Sequence, residues 1–169
     1  MTTTNSNTAN PATTSQTASG QQTLTLERII DAPRELVFRA WTDPKQVAQW
    51  WGPKYFTNPV CELDARPGGA ILIHMAGPDG VVYPTKGTFD EIVEPERLVM
   101  TISAIGDEDG NFQLEDITTV TFAEHEGKTK LTVHAVVTRA TPAAEGALAG
   151  MEQGWTESLE RLADYVASI

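Results

Sequence analysis

The period of apolar and polar positions along the chain changes three times. From Thr23 to Ile30, Leu24 and Leu26 alternate with Thr23, Thr25 and Glu27 in a run rich in β-branched side chains, which predicts a strand. After Pro33 the period lengthens. Leu36, Val37, Ala40 and Trp41 recur at helical spacing, and Pro33 suits the first turn, where its missing N–H would have no partner anyway. Asp43-Pro44 repeats the device: Asp43 is the expected N-cap and Pro44 the first residue of a second short helix, which Gly52-Pro53 ends. From Pro59 to Thr138 the pattern returns to short β-rich runs, giving six further strands at 59–65, 70–76, 81–93, 97–104, 116–124 and 129–138. They are divided by Pro67-Gly68-Gly69, Gly77-Pro78-Asp79-Gly80, Glu94-Pro95-Glu96, the stretch Gly106 to Gly110, and Glu126-Gly127. Connections this short join antiparallel neighbours. Thr141-Pro142 then opens a final long helix, with Leu148, Met151, Trp155, Leu159, Leu162 and Val166 on one stripe and Glu152, Glu157, Glu160, Arg161 and Asp164 opposite. A sheet with one face to bury and a long terminal helix to cover it is an α+β arrangement.

Composition narrows this picture. A chain of 169 residues supports one sizeable core, placed over 23–169 as a single domain. Residues 1–22 are polar, uncharged and without an apolar block, so they are expected to be a disordered tail. A net charge of −11, with no segment concentrating the 12 Lys and Arg residues, excludes a nucleic-acid or anionic-membrane partner. Cys61 stands alone, which excludes an intrachain disulfide and a thiolate zinc site, and no HxH, HExxH or CxxC spacing suggests a metal. No run is apolar enough to cross a membrane and no secretory or myristoylation signal opens the chain, so a cytoplasmic location is expected.

Several motifs stand in a characteristic order: Asp31-Ala32-Pro33, Val37-Phe38, Trp41-Thr42-Asp43-Pro44, Trp50-Trp51-Gly52-Pro53, Pro67-Gly68-Gly69, Gly77-Pro78-Asp79-Gly80, Pro95-Glu96-Arg97-Leu98, and Gly154-Trp155 followed by Leu159 and Leu162. Over about residues 23–168 the chain resembles the C-terminal-domain family of activators of the heat-shock protein 90 ATPase, within the START-like or Bet v-like (SRPBCC) superfamily. The resemblance implies a helix-grip fold. A curved seven-stranded antiparallel sheet would wrap the long C-terminal helix, two short helices would close one end, and the space between would often hold an apolar ligand. Eukaryotic activators carry a further N-terminal domain, whereas here a polar stretch precedes the fold, which ranks chaperone stimulation below ligand binding.

Trp41, Trp50 and Trp51 lie within eleven residues, and consecutive tryptophans cannot both face one side of a helix. Trp41 is therefore expected in the core, and one ring of Trp50-Trp51 at a cavity mouth near Trp155. The cavity candidates are Trp41, Trp50, Trp51, Phe56, Ile71, Ile73, Met75, Tyr83, Phe89, Met100, Ile102, Met151 and Trp155. Gly146, Gly150 and Gly154 recur every four residues of the terminal helix, each at a cost of about 0.8–1 kcal/mol relative to Ala. They permit either close backbone approach or room for a ligand. For acid–base chemistry the candidates are His74, Tyr83, Asp116 and His134, although His74 shares parity with Leu72 rather than Ile73. Cys61 reads as a small hydrophobe, and the acidic run Asp107-Glu108-Asp109 as a solvated turn. The expected function is binding of a small apolar or amphipathic molecule, with no catalytic residue, metal or cofactor identified. The alternatives are a co-chaperone-like interaction domain and a cyclase- or aromatase-type enzyme acting in the cavity.

Overall fold

A computed structural model describes residues 13–16, 22–106 and 111–169. In chain order the elements are β1 (Thr13–Gln16), β2 (Gln22–Ile30), α1 (Arg34–Thr42), α2 (Pro44–Trp50), β3 (Thr57–Leu63), β4 (Ala70–Ala76), β5 (Val82–Val93), β6 (Arg97–Gly106), β7 (Phe112–His125) and β8 (Lys128–Ala140). A 3₁₀ turn (Pro142–Ala144), α3 (Glu145–Ala149) and α4 (Met151–Ala167) complete the chain. All strands join one sheet in the order β1-β2-β8-β7-β6-β5-β4-β3. Every neighbouring pair is antiparallel. The seven expected strands are all present, and the first pairs with the last, Leu24 opposite Ala135.

Three expectations need correction. Thr13–Gln16, assigned to the polar tail, adds an eighth strand on the edge of β2, with Thr14 opposite Leu24. The rest of the expected tail before Gln22 lies outside the described residues, as does the acidic run 107–110. Pro59 does not delay β3, which begins at Thr57, because β3 is an edge strand whose register shifts between Thr57 and Val60, where a missing N–H is tolerated. The terminal helix is not continuous either. It breaks at Gly150, and Thr141 donates its hydroxyl to Gln113 Oε1 at 2.7 Å instead of capping a helix. Glycines at 146, 150 and 154 weaken the helix there, while buried Ala144 packs with Leu114 and Val137.

Alternation decides which face each strand buries. Leu24 and Leu26, Leu131 and Val133, Val120 and Phe122, Leu98 and Met100, Phe89, and Ile71 with Ile73 form the buried face, and Leu159, Leu162 and Val166 of α4 join the same core. Gly87 permits the closest strand approach: a Cβ there would lie 2.2 Å from the Thr101 carbonyl oxygen. Among the described residues no helix is long and apolar enough to cross a membrane.

The short helices close one end as expected. Asp43 caps α2 by accepting a hydrogen bond from the Lys45 N–H at 2.9 Å. The chain leaving α2 is tied to α4. Arg161 Nη1 donates to the carbonyls of Trp51, Gly52 and Pro53, each at 3.0 Å, and Nη2 to Gln49 at 3.3 Å. These include carbonyls orphaned at the C-terminal end of α2, where a cation is also favoured by the helix dipole. Ser158 Oγ accepts from the Gly52 N–H at 3.1 Å and donates to the Gly154 carbonyl at 2.9 Å. Lysine cannot reproduce a planar fork that reaches four carbonyls. Arg161→Ala is expected to lower unfolding stability by about 2–3 kcal/mol in urea titration, with Arg161→Lys recovering less than half.

Candidate functional site

The two short helices meet at Trp41. Its ring lies 4.7 Å from Trp50, 6.3 Å from Phe122 and 6.5 Å from Trp51, all edge to face, and stacks on Trp155 at 6.0 Å with an interplanar angle of 20°. The adjacent tryptophans diverge. Trp50 is fully buried and donates its Nε1–H to the Ala40 carbonyl at 2.9 Å. Trp51 is half-buried and meets Trp155 at 5.6 Å, nearly perpendicular.

Trp51 and Trp155 stand at one side of an open cleft of about 190 Å³ between α4 and the sheet. Gly52 and Pro53 continue its rim from the lid, and Met75, Thr85, Ile102, Ala104, Leu114 and Asp116 supply the sheet wall. Met151, Gly154, Trp155 and Ser158 of α4 supply the other, at the i, i+3, i+4, i+7 spacing that makes one helical face. The next turns of α4 carry Leu159, Leu162 and Val166 into the core, so this helix spends its first half on the cleft and its second on packing. The glycines do not serve close approach. A Cβ on Gly146 or Gly154 would meet no heavy atom within 4 Å, and on Gly150 the nearest atom lies at 3.6 Å. At Gly154 the absent side chain leaves the cleft open.

Of the sequence candidates, Trp51, Met75, Ile102, Met151 and Trp155 line this cleft. Trp41, Trp50, Ile71, Ile73, Phe89 and Met100 do not; they are buried in the adjoining core, because the lid and the second half of α4 fill that end of the concave face. Phe56 and Tyr83 also stand apart from it, paired with each other at 6.0 Å, and Tyr83 is 39% exposed. Thr85, Ala104, Leu114, Gly52, Pro53 and Ser158 were not among the cavity candidates. Parity marks Thr85, Ala104 and Leu114 as inward, continuing the rows of Phe89, Ile102 and Val120, but Thr85 and Ala104 are too small or polar to stand out as core.

Among the acid–base candidates only Asp116 reaches the cleft. His74 falls between the buried Ile73 and its neighbours on the outward row of β4, and His134 is outward on β8, its Nδ1 sharing a hydrogen bond with Thr25 Oγ1 at 2.7 Å. The thiol of Cys61 is pushed up to about 11 by burial, which suits a hydrophobe rather than a nucleophile. Asp116 is 8% exposed and, among the described residues, is the only charged side chain on the walls. Its Oδ1 accepts the Thr118 hydroxyl at 2.6 Å, and its second oxygen has no hydrogen-bond partner among the described residues. Burial pushes its pKa up to about 6; the Thr118 hydrogen bond opposes that rise, and repulsion from Glu115 adds to it.

Because the carboxyl is raised from 3.8 to about 6 on folding, its ionised form costs stability. The cost is absent below about pH 4, grows between pH 4 and 6, and is complete above that. Asp116→Asn, whose side-chain oxygen still accepts from Thr118, is therefore expected to stabilise the protein by up to about 3 kcal/mol at pH 7.5. Urea unfolding of both proteins should show the gain shrinking towards zero as pH approaches 4.

The model of the Activator of Hsp90 ATPase homolog 1-like protein family matches residues 31–167. Among solved structures, a Chromobacterium violaceum protein is 31% identical with a TM-score of 0.72, covering 85% of this chain and 96% of its own. The AHSA1 protein of Silicibacter pomeroyi is 27% identical with a TM-score of 0.71, covering 86% and 97%. An Arthrobacter aurescens protein is 24% identical with a TM-score of 0.77, covering 93% and 92%, and speaks to the fold alone. A search of curated proteins finds no match. The helix-grip sheet, the two-helix lid and the family match together place this chain in the Activator of Hsp90 ATPase homolog 1-like family.

Proposed function

We propose that this domain binds a small molecule with an apolar body in the cleft between α4 and the sheet. The observation that carries the reading is the unfilled space itself, walled by Trp51, Trp155, Met75, Ile102 and Met151 and holding one buried carboxyl. Mostly apolar walls with a few placed polar groups are the usual composition of a ligand site. A dry cavity of about 150 Å³ accepts benzene, so this cleft suits one ring with a short side chain. Burying roughly 200 Å² of such a ligand at about 25 cal/mol per Å² supplies about 5 kcal/mol, less the cost of immobilisation.

A second reading, docking on heat-shock protein 90, has one observation in its favour: exposed Tyr55, Val81, Val82 and Tyr83 lie beside the Phe56–Tyr83 ring contact. Adding this protein to the chaperone should then change its ATPase rate, and Val82→Ser with Tyr83→Ser should remove the change.

For the ligand reading, 2-phenylethanol is the neutral probe. Titration followed by ¹H–¹⁵N correlation spectra should move the indole N–H signals of Trp51 and Trp155 most, while that of Trp50, bonded to Ala40, holds still. Gly154→Leu, which places a side chain where the cleft is open, should weaken binding by about tenfold or more without loss of fold. Undiminished binding by that variant, or shifts scattered over the surface, would count against the reading.

A further inference from the structure

Resting on the binding reading above, the inference concerns which chemical class enters. Asp116 turns a carboxyl oxygen that no protein donor among the described residues reaches onto the open cleft. Carboxylates buried for structural reasons are paired with a cation or have their oxygens satisfied by donors. Here Thr118 satisfies one oxygen, the other has no partner among the described residues, and no Lys, Arg or His lines the cleft. The nearby polar groups do not fill the gap: the Thr85 hydroxyl on the same wall makes no hydrogen bond to that oxygen. Ser158 already accepts from Gly52 and donates to Gly154, and the Thr118 hydroxyl is spent on Asp116 itself.

The rest of the wall also discriminates by charge. Trp51 and Trp155 present two nearly perpendicular indoles, 5.6 Å apart, and the π systems of indoles attract cations and disfavour anions. The whole chain carries a net charge of −11, which raises the local concentration of cations and lowers that of anions. An anionic ligand would meet a buried carboxyl, two π systems and an acidic surface. A purely apolar ligand would leave the second carboxyl oxygen unpaired and cut off from water.

We infer that the cleft takes a small apolar amine, bound as its ammonium ion, with the nitrogen on Asp116 and the hydrocarbon body against Trp51, Trp155, Met151 and Ile102. The ammonium supplies donors to the oxygen that lacks them, and the apolar body occupies the space that Gly154 leaves.

Three isosteric probes test this by isothermal titration at pH 7.5: 2-phenylethylamine, neutral 2-phenylethanol and anionic phenylacetate, each with the full chain and with Asp116→Asn. The amine should bind about tenfold or more tightly than the alcohol, and phenylacetate more weakly than either. Asp116→Asn should bring the amine down to about the level of the alcohol measured on the same variant. That pattern separates the carboxyl from general attraction to an acidic surface, which the variant barely alters. Equal binding of amine and alcohol, an amine preference that survives in Asp116→Asn, or tightest binding of phenylacetate overturns the inference while leaving the apolar-ligand reading in place. If neither amine nor alcohol binds, both fall.

Discussion

A single helix laid across a curved sheet cannot cover the whole of its concave face, and most of this structure is a response to that shortfall. The second half of α4 buries Leu159, Leu162 and Val166 against the inward residues of the sheet. Beyond that reach the lid takes over. Trp41, Trp50 and Phe38 fill one end with rings, and Arg161 with Ser158 fastens the chain after Trp50 to the same helix. What neither element covers is the strip between Met75 and Leu114, and that strip is the cleft.

Two costs coincide there. Gly154 sacrifices helix propensity without any backbone contact that requires it, and Asp116 holds a carboxyl in a low-dielectric wall where ionisation is opposed. Either change, Gly to Ala or Asp to Asn, is compatible with the surrounding geometry. Sequences that retain locally unfavourable choices tend to do so at functional sites, where stability is traded for a task. The two lie on opposite walls of one space, which makes a common purpose a stronger explanation than two unrelated defects.

The fold was legible because its signals are local. Alternation at Leu24 and Leu26, or at Ile71 and Ile73, fixes both the strand and its buried face, and Asp43-Pro44 announces a helix start that the structure realises with a hydrogen bond to Lys45. Strand β1 was not legible: Thr13–Gln16 has no apolar alternation and is placed by pairing along the edge of β2. The break at Gly150 was obscured because the apolar stripe runs on through it. The cleft was legible only in part. Parity separates inward from outward residues, but it cannot tell which inward residues a lid will cover. Ile73 and Met75 are equivalent in pattern, yet one is buried in the core and the other faces the opening. That difference depends on where α1, α2 and α4 end in space.

The division of α4 bears on how the shape of the cleft could change. Residues 151, 154, 155 and 158 face the cleft, and 159, 162 and 166 face the core, so the two tasks are consecutive along the helix. A substitution at Gly154 alters the volume of the cleft without opening a void in the core, because nothing lies within 4 Å of a Cβ there and Leu159 and Leu162 lie one to two turns further on, whereas Met151 also packs against the core. Trp155 couples the two tasks more strongly. It stacks on Trp41 and also meets Trp51, so it belongs to the lid packing and to the cleft wall at once. A change at Trp155 would therefore couple the shape of the cleft to lid stability, whereas a change at Asp116, across the cleft on β7, would alter the charge of the cleft and leave the lid alone.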